Sequence, residues 1–175
     1  LSYLDDPHLK IPSIHIAGTN GKGSTAAYVE SILRASGFRV GMFTSPHFLD
    51  FSERIQLDRV PISKTDFASN ASEVKEAIEK LGVGTTYFEF ATILAFLYFS
   101  KEKPDWIVLE VGLGGRLDCT NVCNPEVSII SSISMDHQAY LGNTIESIAF
   151  EKASIIKNSG TVIAEKQEER VEKII

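Results

Sequence analysis

Short apolar runs alternate along the chain with stretches in which apolar residues recur every three or four positions. The runs end at glycine or polar residues, as strands buried on both faces do, and we predict strands at 13–17, 39–43, 106–111, 127–133 and 161–164. The spacing between them predicts helices at 22–34, 63–81, 89–101, 144–157 and 168–175. This alternation indicates an α/β fold, a mostly parallel sheet flanked by helices on both faces. Residues 44–55 have no clear period and predict a long, functional loop.

Residues 18–25 have the composition of a phosphate-binding loop between the first predicted strand and the first predicted helix. Glycines let backbone N–H groups point into one concavity, the helix adds its unpaired N–H groups, and a lysine supplies charge for the β- and γ-phosphates. Strict Walker spacing would require a glycine at Ile16 and a hydroxyl at Gly23, so the loop is a variant. We predict that ATP binds here, through Gly18, Thr19, Asn20, Gly21, Lys22, Gly23, Ser24 and Thr25.

Polar residues follow three of the predicted strands, and parallel strands place them at one edge of the sheet. Glu110 ends one strand and is a candidate Mg²⁺ ligand, although a solvated strand-end acid accounts for it equally well. Ser45 is a candidate metal ligand, and His47 a candidate contact to substrate or metal. Asp136 and His137 follow a third strand; taken singly, loop histidines are more often ordinary surface groups.

Several other polar residues have a structural interpretation. His15 lies within an apolar strand and is expected to be a hydrogen-bonded core histidine. Glu89 lies in a nearly apolar helix, where an ionised carboxylate needs partners, so we expect a role at the helix N-terminus or facing a cleft. Cys119 and Cys123 are expected to be reduced thiols, with a disulfide or metal pair as the alternative. Lys152, taken alone, is expected to be a solvated helix lysine.

The composition of the chain limits the classes of partner that we expect it to bind. Its 175 residues carry a formal net charge of −6, which provides no broad positive field for nucleic acid or an anionic membrane. No apolar run approaches the roughly 20 residues of a membrane span. We see no secretory leader, although a chain that begins at Leu1 could lack its start. We therefore expect small-molecule substrates, no nucleic acid, no membrane and a cytoplasmic location.

Taken together in order, several segments resemble the folylpolyglutamate synthase and dihydrofolate synthase family of the Mur ligase superfamily. They are His15–Ser24, Thr44–His47 with Glu53–Ile55, Tyr87–Phe90, Leu109–Asp118 with Thr120–Val122, Met135–His137 and Glu151–Ala153. The resemblance implies a ligase of folate biosynthesis, in which ATP phosphorylates a carboxylate of a pterin-bearing acid. The amino group of glutamate then attacks the acyl phosphate.

The resemblance also implies roles for individual residues. Ser45 and Glu110 would hold one Mg²⁺, and Glu110 with His137 a second. Lys152 matches a lysine that the family carries as a carbamate (N6-carboxylysine), which replaces the solvated-lysine interpretation, because a carboxylate holds Mg²⁺ where an ammonium would repel it. Lys22, Lys152 and His137 would be catalytic, and Asn121 would contact the nucleotide. The substrate contacts would be His47, Tyr87, Phe88 and Glu89.

Two features depart from the family. Ser154 stands where the family usually has glycine, and the chain is less than half the usual length. We therefore expect 1–175 to be an incomplete ATP-binding central domain without the C-terminal domain that helps bind glutamate. Isolated, it would bind ATP weakly and show no ligase activity, and the full-length protein would be a monomer.

Three alternatives to a folate ligase remain from the sequence. One is a Mur-type ligase that acts on a cell-wall peptide precursor. Another is a P-loop regulatory module, although the chain has no Asn-Lys-X-Asp run to read guanine. An inert structural domain is the third. Dihydrofolate synthase, folylpolyglutamate synthase and a bifunctional enzyme are not separable by sequence.

Overall fold

The computed structural model describes residues 1–157 and 160–175. One sheet is formed by β1 (Ser13–Ala17), β2 (Val40–Phe43), β3 (Ile55–Leu57), β4 (Val60–Pro61), β5 (Trp106–Glu110), β6 (Val127–Ile130) and β7 (Thr161–Ala164). The α-helices of the described residues are α1 (Lys22–Ala35), α2 (Lys64–Leu81), α3 (Tyr87–Glu102), α4 (Gln138–Leu141), α5 (Ile145–Ala153) and α6 (Glu169–Glu172). Short 3-10 helices are at Ser2–Leu4, Pro7–Leu9, Phe51–Arg54 and Cys119–Val122.

The sheet has the order β4-β3-β2-β5-β1-β6-β7. The five strands from β2 to β7 in this order pair in parallel, and the β3–β4 hairpin extends the sheet in the antiparallel sense. The α/β fold with a mostly parallel sheet is therefore confirmed. Because β5 and β6 flank β1, the segments that follow these three strands meet at one edge of the sheet.

Two apolar layers enclose the central strands. On one face, Ile107 and Leu109 of β5 pack with Leu94 and Phe99 of α3. On the other face, Val108 packs with Ala26 of α1 and with other strand residues. Consecutive residues of β5 thus alternate between two buried faces, which is why its sequence is apolar without interruption.

Side-chain caps fix the starts of two helices, α2 as predicted and α3 two residues before its predicted start. Ser63 accepts a hydrogen bond from the backbone N–H of Asp66 at the start of α2. Thr86 and Glu89 form a complete capping box at the start of α3, which confirms the N-terminal role of Glu89. Within the described residues, none of the helices combines the length and the apolar character that crossing a membrane requires.

The β3–β4 hairpin was not predicted from the sequence. Its turn consists of Asp58 and Arg59, whose φ angles of 50° and 68° lie in the left-handed region. Such turns are usually Asn-Gly, Asp-Gly or Gly-Gly, and here Arg59 stands in place of the glycine, so the usual hairpin dipeptide is missing. The predicted strand at 127–133 and the predicted helices at 144–157 and 168–175 are shorter in the structure, as β6, α5 and α6.

Candidate functional site

The phosphate loop joins the carboxyl end of β1 to the amino end of α1. Gly21 precedes the helix with a φ of 82°, a conformation that glycine adopts at no steric cost. Gly18 lies so close to the end of β6 that a Cβ atom there would be 1.9 Å from Oγ of Ser131. Both glycines are therefore required by the shape of the loop.

Hydrogen bonds fix this loop to the segment after β6. The backbone N–H of Thr19 donates to the carbonyl of Ser132 at 2.7 Å, and its hydroxyl donates to the carbonyl of Ser134 at 3.1 Å. The hydroxyl of Ser131 donates to the carbonyl of Asn20 at 2.8 Å. The side chain of Lys22 lies over the loop, with Nζ 3.2 Å from the carbonyl oxygen of Thr19. The N-terminus of α1 and its lysine thus form one cationic concavity.

Glu110 and Ser45 lie side by side at the same edge of the sheet. The backbone N–H of Ser45 donates to Oε2 of Glu110 at 2.9 Å. Gly23 lies next to this carboxylate, since a Cβ atom there would be in ordinary contact with Oε1 at 3.5 Å. Burial raises the pKa of Glu110, while the Ser45 N–H and the charges of Lys22 and Arg54 oppose the rise.

The residues around Glu110 fit a magnesium ion. Within 1–157 and 160–175, no three His, Cys, Asp or Glu side chains come together as a ready-made metal site. Mg²⁺ commonly binds proteins through one or two carboxylates, substrate phosphates and several waters, and Glu110 with the Ser45 hydroxyl suits that set. A cation would also favour the ionised form of a carboxylate that burial disfavours.

The side chain of Lys152 extends from α5 to the phosphate loop. Its side chain is almost fully buried, and Nζ donates to the carbonyl oxygen of Gly18 at 2.9 Å. Burial, and then the charge of Lys22, lowers its pKa to about 8, while Asp136 acts in the opposite sense. The solvated-lysine interpretation is therefore wrong. Ser154 is accommodated by a hydrogen bond from its hydroxyl to the carbonyl of Phe150 at 2.6 Å.

His137 belongs to the segment after β6, at the N-cap of α4, and is about half exposed. Its Nε2 atom lies 3.5 Å from Oδ2 of Asp136. Among the described residues it makes no hydrogen bond to Glu110 or Ser45. Asp136 and His137 thus lie side by side, and the predicted sharing of a Mg²⁺ ion by Glu110 and His137 stays a prediction.

The predicted substrate residues separate into distinct environments. Nε of Arg54 donates to Nδ1 of His47 at 2.8 Å, and the Arg54 guanidinium lies 5.6 Å from the ring centroid of Tyr87. Phe88 instead packs on Phe43, with ring centroids 5.9 Å apart. Arg54 is a functional candidate to which the sequence reasoning gave no role; the Glu-Arg-Ile segment that contains it was the available signal.

Glu89 lines a cavity of about 300 Å³ together with Asp118 and Cys119. Its carboxylate accepts the backbone N–H of Thr86 at 2.7 Å, and this hydrogen bond lowers its pKa. Of the three consecutive residues Tyr87, Phe88 and Glu89, only Glu89 lines this cavity. An apolar wall with the fixed carboxylates of Glu89 and Asp118 suits a flat heterocycle that carries N–H donors.

The side chain of Asn121 is held by hydrogen bonds to residues of two neighbouring segments. Its amide donates to the carbonyls of Arg116 and Ser154 at 3.0 and 3.3 Å, and its side-chain oxygen accepts from Lys157 at 2.9 Å. These bonds join the 3-10 helix Cys119–Val122 to the end of α5. Its nucleotide contact stays a prediction.

The expected core histidine and thiols are confirmed. His15 is fully buried, Nε2 lies 2.7 Å from the hydroxyl of Thr120, and burial lowers its pKa to about 3, so it is neutral at physiological pH. Cys119 and Cys123 are both free. Burial raises their thiol pKa values to about 11 and about 12.

Comparisons with known proteins agree on one family. The Mur ligase middle domain model matches residues 16–174. The chain is 45% identical over 168 residues to the dihydrofolate synthase/folylpolyglutamate synthase of Bacillus subtilis, covering 93% of this chain and 39% of that protein. It is 48% identical over 159 residues to a folylpolyglutamate synthase of Arabidopsis thaliana, covering 88% and 25%. The chain therefore spans well under half the length of these relatives.

Solved structures give the same result. The apo form of L. casei FPGS superposes with a TM-score of 0.97 at 39% identity, covering 99% of this chain and 44% of that one. A complex of FPGS with AMPPCP and folate gives a TM-score of 0.97 at 39% identity, covering 99% and 43%. Sequence and structure comparisons thus confirm the resemblance to folylpolyglutamate and dihydrofolate synthases.

Proposed function

Because this chain belongs to the Mur ligase middle domain family, we propose that it is the nucleotide-binding part of an ATP-dependent ligase that joins glutamate to dihydropteroate or a folate. The chain spans 39% of a relative with that name, so the complete activity needs more of the protein than these residues. One observation supports the proposal most directly. The side chains of Lys22, Glu110 and Lys152 and the backbone of Ser45 all lie close to one phosphate loop.

In the proposed reaction, an oxygen of the acceptor carboxylate attacks the γ-phosphorus of ATP, and ADP leaves. The resulting acyl phosphate is attacked by the amine of glutamate, which loses a proton, and inorganic phosphate leaves as the amide forms. The N-terminus of α1 and Lys22 neutralise charge on the transferring phosphoryl group, so most of the catalysis is positioning and electrostatics. Glu110 and Ser45 would hold Mg²⁺, which would supply further charge neutralisation there.

Lys152 is proposed to react with carbon dioxide. A carbamate forms when the neutral amine attacks carbon dioxide and loses a proton, and a pKa of about 8 leaves an appreciable neutral fraction near pH 7. The product would carry a negative charge beside the phosphate loop and could share a second Mg²⁺ with His137. Burial supports this proposal because the ammonium form is already disfavoured there.

The acceptor is proposed to place its pteridine ring in the cavity that Glu89 lines. A carboxylate that is kept ionised by its hydrogen bond to Thr86 can accept N–H groups from such a ring. Tyr87 and His47, which are joined through Arg54, would contact the same acceptor from the opposite side of Phe88.

Two other assignments have less support. The compared relatives carry folate-ligase names and not cell-wall-ligase names, so a cell-wall precursor is the weaker choice of acceptor. A regulatory nucleotide-binding module would not need a buried lysine beside the phosphate loop. We also propose that the ligase is a cytoplasmic monomer, and the free thiols are consistent with a reducing compartment.

The test is phosphate release by the complete ligase that contains this chain, with ATP, Mg²⁺, glutamate and either dihydropteroate or tetrahydrofolate. We expect release to require both glutamate and one of these acceptors. The isolated 175-residue chain should release none. A complete protein that is active with a cell-wall peptide precursor and inactive with both pteridine acceptors would disprove the folate assignment. Steady phosphate release by the isolated chain that depends on both glutamate and a pteridine acceptor would show that the missing part of the protein is not needed for activity.

A further inference from the structure

The cavity that Glu89 lines also contains the carboxylate of Asp118, whose hydrogen-bond partners belong to the protein itself. The backbone N–H of Leu113 donates to Oδ2 of Asp118 at 2.9 Å. The backbone N–H and the hydroxyl of Thr120 donate to Oδ1 at 3.0 and 2.5 Å. The two oxygens of a carboxylate offer about four lone-pair positions. These three donors therefore leave one position free, on Oδ2.

A chain of hydrogen bonds extends from Asp118 to the centre of the sheet. The hydroxyl of Thr120 also lies 2.7 Å from Nε2 of His15 in β1. On the other side of the imidazole, Nδ1 lies 3.6 Å from the sulfur of Cys123. Thr120, His15 and Cys123 are each at most 2% exposed, so bulk water does not compete for these groups.

The direction of each hydrogen bond in this chain follows from the chemistry of its two ends. An ionised carboxylate only accepts, so the hydroxyl proton of Thr120 points to Asp118. The oxygen of Thr120 then accepts from His15, which places the proton of the neutral imidazole on Nε2. Burial raises the pKa of the Cys123 thiol to about 12, so the thiol keeps its proton and donates to Nδ1. All the donors thus point toward Asp118, and hydrogen bonds aligned in this way strengthen one another.

The carboxylate of Asp118 is also enclosed by the backbone around it. A Cβ atom at Gly112 would lie 2.5 Å from Cζ of Phe88 and 3.1 Å from Oδ2 of Asp118, so only glycine fits this close approach. Cys119 lines the same cavity, and, after burial, the charges of Asp118 and Glu89 raise the pKa of its thiol. Two carboxylates thus act on one space, and a ligand that brings N–H donors is the one that suits them.

We propose that Thr120 and His15 are positioning residues for the acceptor, because they hold the carboxylate of Asp118 so that Oδ2 accepts an N–H group of the pteridine ring. This proposal rests on the ligase function and on the placement of the acceptor proposed above. Neither Thr120 nor His15 lines the cavity, so both act through Asp118. His15 also lies three residues before Gly18, so β1 supports the acceptor site as well as the phosphate loop.

The first test measures kcat, KM for ATP and KM for the acceptor in the complete ligase, with dihydropteroate and with tetrahydrofolate. Thr120→Val keeps the shape of the side chain and removes the hydroxyl. We expect KM for both acceptors to rise about tenfold, the effect of losing a hydrogen bond to a charged group. KM for ATP and kcat should change less than about twofold, because the phosphate loop is unaltered. Thr120→Ser, which keeps the hydroxyl, should restore most of the acceptor affinity.

His15 is tested by a second pair of variants. His15→Gln keeps an N–H donor near the position of Nε2, whereas His15→Leu has none. We expect the acceptor KM to rise about threefold in His15→Leu and to stay close to the unaltered value in His15→Gln. Ser128→Ala is the matched control, because Ser128 lies beside His15 on β6 and its buried hydroxyl donates to the carbonyl of Ile155. Its acceptor KM should not change.

A double-mutant cycle shows whether Thr120 acts through Asp118. In an Asp118→Asn background, Thr120→Val should raise the acceptor KM by less than about twofold, because the group that it positions is already altered. The full effect of Thr120→Val in that background would overturn the proposal. Should Thr120→Val not fold, the contrast between His15→Leu and His15→Gln decides.

Other outcomes would also overturn the proposal. They are an acceptor KM that Thr120→Val leaves unchanged, equal rises in KM for ATP and for the acceptor, and equal effects of His15→Leu and His15→Gln. Each of these results would leave the ligase function intact, because the unaltered enzyme would still turn over. An unaltered enzyme with no glutamate-dependent phosphate release on either acceptor would instead remove the ligase function on which the proposal rests.

Discussion

The side-chain nitrogen of Lys152 donates a 2.9 Å hydrogen bond to the backbone carbonyl oxygen of Gly18, across a separation of 134 positions in the sequence. This bond joins α5 to the phosphate loop and places a buried amine beside Lys22. Two lysine side chains in one site repel each other unless one of them is neutral or modified. The chemistry of Lys152 therefore determines the charge that a nucleotide would meet.

Lys152→Met is expected to stabilise the protein at pH 7 in buffer purged of carbon dioxide. The pKa of Lys152 falls from 10.5 to about 8 in the folded state, so between these values the unfolded chain binds the extra proton. Stability then rises with pH in this window, and the destabilising contribution of the buried lysine is fully present below pH 8. Its size is about 3 kcal/mol, at 1.36 kcal/mol for each unit.

The measurement is the free energy of unfolding in denaturant at several pH values between 7 and 10.5. The advantage of Lys152→Met over the unaltered protein should shrink as the pH rises, because the lysine becomes neutral in both states. A constant difference would show that the pKa of Lys152 is not lowered. The difference between the two proteins removes the contributions of the other groups that titrate in this range.

Bicarbonate is expected to modify Lys152 and to raise ligase activity. The neutral amine attacks carbon dioxide, so carbon-13 bicarbonate should give a carbamate resonance that Lys152→Met lacks. Substitution of the lysine should lower kcat by about a hundredfold or more, the size of effect seen when one preorganised charge is removed. A resonance that persists in Lys152→Met would place the carbamate elsewhere, and its absence from both proteins would exclude carbamylation.

Glu110→Gln is expected to weaken Mg²⁺ binding and lower kcat about a hundredfold without destabilising the fold. The amide keeps the shape and avoids the cost of burying a charge. Burial raises the pKa of Glu110 above 4.5, so its contribution to stability is present below pH 4.5 and is lost as the pH rises through the folded-state value. Mg²⁺ affinity should fall as the pH decreases through that same value. Magnesium titrations together with thermal unfolding check both points.

A loss of stability comparable to the loss of activity would contradict this prediction, since it would make Glu110 a structural residue. Glu126→Gln is a suitable control, because Glu126 also carries a carboxylate and lies near the start of β6, away from the phosphate loop. Its effect on Mg²⁺ affinity should be negligible.

Gly115→Ala is expected to displace α5. A Cβ atom at this position would lie 2.4 Å from the backbone carbonyl oxygen of Glu151 and 3.1 Å from Cα of Lys152. Overpacking of this kind costs about 1–3 kcal/mol, and the shift of Lys152 should reduce activity as well. Gly84→Ala is the matched control, because nothing lies within 4 Å of its Cβ position. Thermal unfolding and turnover of both variants are compared, and equal effects would contradict the packing argument.

Glu53→Gln is expected to loosen the loop that carries Phe48 and Leu49. The carboxylate of Glu53 accepts three backbone N–H groups, from Phe48, Leu49 and Asp50, at 2.8 to 2.9 Å. These bonds lower its pKa, and an amide can replace only part of them. Both apolar residues are more than 90% exposed, so chymotrypsin should cleave after them faster in the variant. Glu79→Gln, in which only a surface pair with Lys75 is lost, should be cleaved at the unaltered rate.

Local patterns were sufficient to predict most of the sheet, because the central strands are buried on both faces and the phosphate loop has its own composition. The hairpin was missed because Arg59 adopts a left-handed conformation at a position where such turns usually have glycine. Burial of Lys152 depends on its contact with Gly18, which is distant in sequence. The pattern of apolar residues within α5 does not indicate such a contact. Only the resemblance to the folate-ligase family identified this lysine as a functional candidate.

The candidate substrate residues show a second limit of prediction from the sequence. Tyr87, Phe88 and Glu89 were grouped because they are consecutive, yet neighbouring residues of a helix point about 100° apart. One therefore contacts Arg54, one packs on Phe43 and one lines a cavity with Asp118. The predicted helix began only at residue 89, so it gave no reason to separate Tyr87 and Phe88 from Glu89. The role of Arg54, by contrast, depends on the loop that brings it beneath Tyr87.

The central position of β1 has a consequence for how this protein matures. Ser13–Ala17 is synthesised before its two neighbours in the sheet, Trp106–Glu110 and Val127–Ile130, which follow about ninety or more residues later. Pairings of such long sequence separation slow folding, and an apolar strand with both flanks open is prone to aggregate meanwhile. On the ribosome, this strand therefore stays unpaired until both of its neighbours have emerged, and chaperones are expected to bind it during that interval.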